Sequence, residues 1–155
     1  QAQMDRFLVQ LTIGYPDFKS QVEILRERQT QNPLDKVRQV SDRQAVLDMQ
    51  RDVLAVTTSD ALLEYITRLA EASREHPLLQ LGISPRGALS VCRMARAHAY
   101  LYGRDFVIVE DVQAVFSDVC AHRVLLSQRA RMEKASARQV MDGLLADVPL
   151  PHAVR

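Results

Sequence analysis

From Asp17 onward, apolar residues recur three and four positions apart, punctuated by residues that cap or break helices; this pattern leaves room for little besides a helical bundle. Asp17 to Gln29 sets Phe18, Val22 and Leu25 on one face before Asn32-Pro33 breaks the run. Ser41-Asp42-Arg43-Gln44 has capping-box spacing and opens a helix carrying Val46, Met49 and Val53. A third helix begins near Ser59 or Asp60, has Leu62, Leu63, Ile66, Leu69 and Ala70 at amphipathic spacing, and ends at His76-Pro77. Ser84 to Tyr102 buries Ala88, Val91, Cys92, Ala95 and Ala99, with Gly103 as its stop. Glu110 to Leu126 buries Val112, Val115, Phe116, Val119 and Cys120. A second capping box, Ser136-Ala137-Arg138-Gln139, opens the last helix, which buries Val140, Met141, Leu144 and Leu145 ahead of Pro149-Leu150-Pro151.

One segment breaks the helical period. In Phe7-Leu8-Val9-Gln10-Leu11-Thr12-Ile13 the apolar residues alternate, which predicts a β-strand ending at Gly14-Tyr15-Pro16. A lone strand has no ladder for its N–H and C=O groups, so its sheet is expected upstream of Gln1, in a larger protein. The expected fold is all-α, a small helical bundle preceded by one orphan β-strand. The strand and hinge would occupy residues 1–16 and the bundle 17–155. Deleting residues 1–13 is then expected to leave the thermal midpoint nearly unchanged.

Composition supports helix, since aromatics are only 5% and there is no Trp to build a turn-rich sandwich or barrel. Cys92 and Cys120 lie 28 residues apart, match no zinc spacing, and are too few for a disulfide framework. They fit a reducing compartment. No apolar run reaches the roughly 20 residues of a spanning helix, and the start lacks the shape of a signal peptide, so a cytoplasmic protein is expected. Residues 1–83 carry net −2 and 84–155 net +3, giving the overall +1. Four arginines and no acid lie between Ser84 and Arg104, which reads either as a solvated face or as an anion site.

Gly82-Ile83-Ser84-Pro85-Arg86-Gly87 has the glycine spacing of a Walker A loop, but Ala88 and Leu89 stand where the Lys and hydroxyl should be, so it is not a P-loop. No complete catalytic motif occurs. His76, His98, His122, His152 and the two cysteines could bind metal only if the fold gathered them, and no metal site is expected. The arginine-rich helix could enter a DNA groove, but it also needs its Ala and Val positions for packing, so nucleic-acid binding is not favoured. Ser84-Pro85-Arg86-Gly87 is the most informative local signal. Ser suits the N-cap and Pro the first helical position, which leaves Arg86 in a first turn where the macrodipole disfavours a cation. Something negative is expected nearby, and a phosphate there could take backbone N–H groups and a guanidinium fork.

Several landmarks, in order, resemble the C-terminal part of MoxR-family AAA+ ATPases: Gln3-Met4-Asp5-Arg6-Phe7, Ile13-Gly14-Tyr15-Pro16, the Gly82–Gly87 stretch, Gly103-Arg104-Asp105-Phe106, Glu110-Asp111-Val112 and Ala121-His122-Arg123. The resemblance implies the end of a nucleotide-binding core followed by a helical lid. By its pattern Arg6 matches the arginine finger, which acts on ATP held by a neighbouring subunit, and Arg86 the sensor-2 arginine. Ser84, Pro85, Arg86 and Tyr15 are expected beside the nucleotide. ATP and Mg2+ are implied for the full-length protein and neither for this stretch alone, which lacks Walker A and B motifs and should be inactive by itself. A ring of copies, a chaperone-like role in maturation or metal insertion, and von Willebrand factor A-type partners are also implied. One departure stands out: Val109 occupies the position where relatives often have Thr as N-cap, so the helix that follows should lack a side-chain cap. The alternative is a free-standing helical module that binds protein or nucleic acid and never meets ATP.

Overall fold

The computed structural model describes residues 3–29 and 32–151. Among them the order is a 3-10 turn (Met4–Arg6), α1 (Phe18–Arg28), a second 3-10 turn (Pro33–Lys36), α2 (Arg43–Ala55), α3 (Asp60–Glu75), β1 (Leu79–Leu81), α4 (Pro85–Leu101), α5 (Val109–Cys120), β2 (Leu125–Leu126), α6 (Gln128–Met132) and α7 (Ala137–Asp147). The mainly helical expectation holds. The chain divides into two compact units, 11–50 and 1–10 with 51–155, and the division falls within α2.

In the smaller unit, Asp17 caps α1 by accepting the Ser20 N–H at 2.7 Å. The expected capping box on Ser41 does not form. Asp42 is the cap instead, accepting the Ala45 N–H at 2.8 Å, because its carboxylate is a stronger acceptor and sits one residue nearer the helix. Phe18 and Leu25 on the apolar face of α1, and Val46 and Met49 of α2, are exposed.

The core lies in the larger unit. Leu62, Ile66, Leu69 and Ala70 of α3, Val91, Ala95 and Ala99 of α4, Val112, Phe116 and Val119 of α5, and Val140, Met141 and Leu144 of α7 form one buried cluster. Leu63, at the same amphipathic spacing, is exposed, while Tyr65 is fully buried. The Ser136 box forms as its spacing requires, with Gln139 N–H to Ser136 Oγ at 3.2 Å and Ser136 N–H to Gln139 Oε1 at 2.8 Å. Gly103 ends α4 with φ +70°, where the Gly103 N–H reaches Tyr100 O and the Arg104 N–H reaches Ala99 O, a Schellman pattern.

Two expectations fail, each for a local reason. Residues 7–13 form no strand, since alternation marks two faces but only a neighbouring ladder makes a strand. Their polar groups go elsewhere, the Gln10 N–H to Asp118 O at 3.1 Å. The helix expected over Glu110 to Leu126 stops at Cys120. Arg123 Nε takes Val119 O at 2.8 Å, so a side chain caps that carbonyl, and the chain turns to pair β2 with β1 as a short antiparallel ladder. As expected, α5 has no side-chain cap at its N-cap, which is Ile108 rather than Val109. Asp111 reaches back to accept the Ile108 N–H at 2.8 Å.

Candidate functional site

The site is built around the first turn of α4. β1 delivers the chain to Gly82, where an added Cβ would lie 2.6 Å from Arg74 N, so only glycine lets the strand end approach α3. The turn that follows is pinned to α3 at both polar groups of Ile83. Its N–H donates to Ser73 Oγ at 2.8 Å, and its carbonyl accepts from Arg74 Nε at 2.9 Å. Ser84 then caps α4, its Oγ accepting the Gly87 N–H at 3.1 Å with Pro85 next in the chain. Arg86 is exposed, and among the described residues its guanidinium has no partner.

The negative charge expected at this helix end comes from the chain itself. Ser84 Oγ–H points at the Asp5 carboxylate, 3.1 Å from each oxygen, and Arg123 Nη1 lies 2.8 Å from the same group. Arg123 is buried almost completely, its side chain 1% exposed. It donates to Val119 O, to Asp5 O and Oδ1, to Phe7 O and Leu8 O, and to Ser90 Oγ. His122 Nε2 adds a bond to Phe7 O at 3.0 Å. Residues 5–8 are thus gripped by the turn that ends α5. Asp5, Arg74, Gly82, Ser84 and Arg123 line a cleft of about 300 Å3 beside the α4 cap. Arg6 sits between gripped neighbours, exposed, and without a partner among the described residues.

The structure therefore brings the surroundings of Arg6, Ser84, Pro85 and Arg86 together across the Asp5–Ser84 hydrogen bond. Tyr15 belongs to the smaller unit and is fully exposed. Among the described residues no three His, Cys, Asp or Glu side chains gather in a way that could hold a metal ion. Cys120 is buried among apolar groups, which pushes its thiol up to about 12, and His122 is engaged with Phe7; His152 lies outside the described residues.

A second polar cluster went unassigned in the sequence although Arg104 and Asp111 stand in two of the landmarks. Asp111 is fully buried. Arg104 grips it with two bonds of 2.6 Å, and His98 Nδ1–H donates to it at 2.6 Å. Burial alone would raise its carboxyl, but the Arg104 fork, the Ile108 N–H and His98 together outweigh that and hold it at about 2. The readable signal was an Asp at the third position of a helix that has no polar residue at its N-cap.

Residues 71–144 match the family model of the AAA lid domain. The chain is 31% identical to the chaperone MoxR1 of Mycobacterium tuberculosis, over 97% of its own length and 42% of that protein. The chain carries the lid region of a MoxR-type AAA+ ATPase. YeaC of Bacillus subtilis is 33% identical to this lid region over 97% of the chain and 47% of YeaC. Among solved structures, one described as a "putative ATPase" from Cytophaga hutchinsonii superposes with a TM-score of 0.85 at 31% identity, over 96% of this chain and 48% of that one. The chain thus spans about half the length of the relatives it matches, or somewhat less. Among the described residues, no helix of the MoxR-type lid is long and apolar enough to cross a membrane.

Proposed function

We propose that this lid serves an ATP-hydrolysing ring, with Arg86 acting on the nucleotide of its own subunit and Arg6 reaching the γ-phosphate held by a neighbour. The observation that carries the reading is the pair of exposed guanidinium groups, unpartnered among the described residues and flanking the Asp5–Ser84 hydrogen bond on one compact unit. A planar cation fixed near a transferring phosphoryl group neutralises charge that builds in the transition state. The residues present fit an anionic nucleotide. Among the described residues they offer no carboxylate cluster for magnesium, so Mg2+ would be held through the phosphates and the remainder of the parent protein. Bound ATP would supply the phosphoryl group. The lid's own part is to place Arg86 and to keep the α4 end in shape through Ser84 and Pro85. Tyr15 beside Gly14, whose φ is +75°, would mark the hinge between core and lid. A cytoplasmic ring with a chaperone-like role toward von Willebrand factor A-type clients, in maturation or metal insertion, completes the proposal.

The test is Arg86→Ala in the full-length protein. Loss of a charge-assisted hydrogen bond of about 1.5–3 kcal/mol should lower ATP affinity or turnover by about one to two orders of magnitude. Because Arg86 is solvated and sits in a first turn, the melt should move by less than about 0.5 kcal/mol. Unchanged ATP hydrolysis with an intact melt would return Arg86 to a solvated side chain.

A further inference from the structure

We propose that Arg123 is a positioning residue, which with Asp5 and His122 locks the backbone on both sides of Arg6 and so sets where its head group can reach. This rests on the reading of Arg6 as the arginine that reaches a neighbouring subunit's nucleotide. A guanidinium has five N–H donors, and Arg123 directs them at six acceptors. Burying such a charge is costly unless it is paired and hydrogen-bonded. Most of its partners lie at residues 5 to 8. The carbonyls of Asp5 and Phe7, one on each side of Arg6, are held at 2.5 and 2.6 Å. Asp5 then links that segment to Ser84. Arg6 therefore has a fixed backbone and a free head group, the arrangement that keeps ordering losses low when a side chain must meet a distant phosphate.

The geometry also separates Arg123 from a merely structural arginine, whose loss would weaken the fold without touching Arg6. Lysine would keep the charge but cannot make the fork that spans Val119, Asp5 and Phe7 together. Asp5→Asn keeps the backbone carbonyl and the shape while removing the charge that faces Arg123, and it is the milder variant if Arg123→Lys folds poorly.

The experiment measures steady-state ATP hydrolysis and backbone amide exchange in the full-length protein carrying Asp5→Asn, Arg123→Lys, Arg6→Ala, and Arg6→Ala combined with Asp5→Asn. Turnover in Asp5→Asn should fall about tenfold or more. KM for ATP should change by less than about twofold, because Arg6 acts on a neighbour's nucleotide. In the Arg6→Ala background, Asp5→Asn should cause no further loss, since both act through one side chain. Amide exchange over residues 7–10 should quicken in Asp5→Asn and Arg123→Lys. Full turnover in Asp5→Asn, or additive losses in the double variant, would overturn the positioning role. Normal turnover in Arg6→Ala would instead sink the finger reading, and the exchange data, which need no nucleotide, would still report whether the segment is gripped.

Discussion

Asp111→Ala is expected to destabilise the lid by about 3–5 kcal/mol, because it removes a fully buried carboxylate that accepts from Arg104, His98 and the Ile108 N–H together. The Arg104 guanidinium would lose both of its bonds to the carboxylate, and the Ile108 N–H would lose its cap at the start of α5. Scaled to a domain of this size, the thermal midpoint should fall by roughly 10 °C or more, as read by calorimetry or circular dichroism. The pH dependence checks the cause. Asp111 titrates at about 2 in the fold, below the roughly 3.9 of an unfolded aspartate, so its contribution is full above about pH 4. It is lost as pH falls from there toward 2. The gap between the native and Asp111→Ala midpoints should therefore narrow over that window. A gap that stays constant down to pH 2 would mean that packing, not charge, sets the loss.

Removing residues 1–8 is the second large change. Alternation in the sequence reads 7–13 as a strand belonging elsewhere, and on that reading deleting residues 1–13 leaves the thermal midpoint nearly unchanged. The contacts made by residues 5–8 predict the opposite. Without the segment, Arg123 keeps Val119 O and Ser90 Oγ but loses the Asp5 carboxylate and the carbonyls of Asp5, Phe7 and Leu8. His122 loses Phe7 as well. An almost fully buried cation with its counter-charge gone should cost about 3–5 kcal/mol. Urea titration of the shortened chain should show the midpoint shifted well down. Adding Arg123→Met, which removes the stranded charge, should recover part of the loss. A shortened chain as stable as the full one would show that the grip contributes nothing to the fold.

Helices were legible wherever apolar period and cap agreed. The Ser136 box, the Ser84 cap and the Gly103 stop all sit where the residues place them, since each depends on atoms a few positions apart. Long-range matters were not legible. Nothing in Leu79-Gln80-Leu81 or Leu125-Leu126 announces a pairing between them, and the end of α5 depends on where the Arg123 side chain goes. The amphipathic pattern of α1 and α2 was real, yet Phe18 and Leu25 remain exposed, because period reports which face is apolar and not whether anything covers it. At the site, the order of landmarks located Arg6 and Arg86. Asp5 and Arg123 stood in landmarks too, but without a role, because their pairing joins positions 118 residues apart.

That span has a consequence for how the protein is made. Asp5 and Arg123 are 118 residues apart in sequence, so the grip cannot close until the ribosome has passed α5. At about 5–20 residues per second, the early segment waits on the order of ten seconds before its partner is synthesised. Closing so long a loop also carries an entropic cost that grows with the logarithm of its length, which places this contact late in folding, after the local helix pairs. The arginine at position 6 would thus be set in place only once the rest of its unit exists, and a chain interrupted before Arg123 would leave it loose.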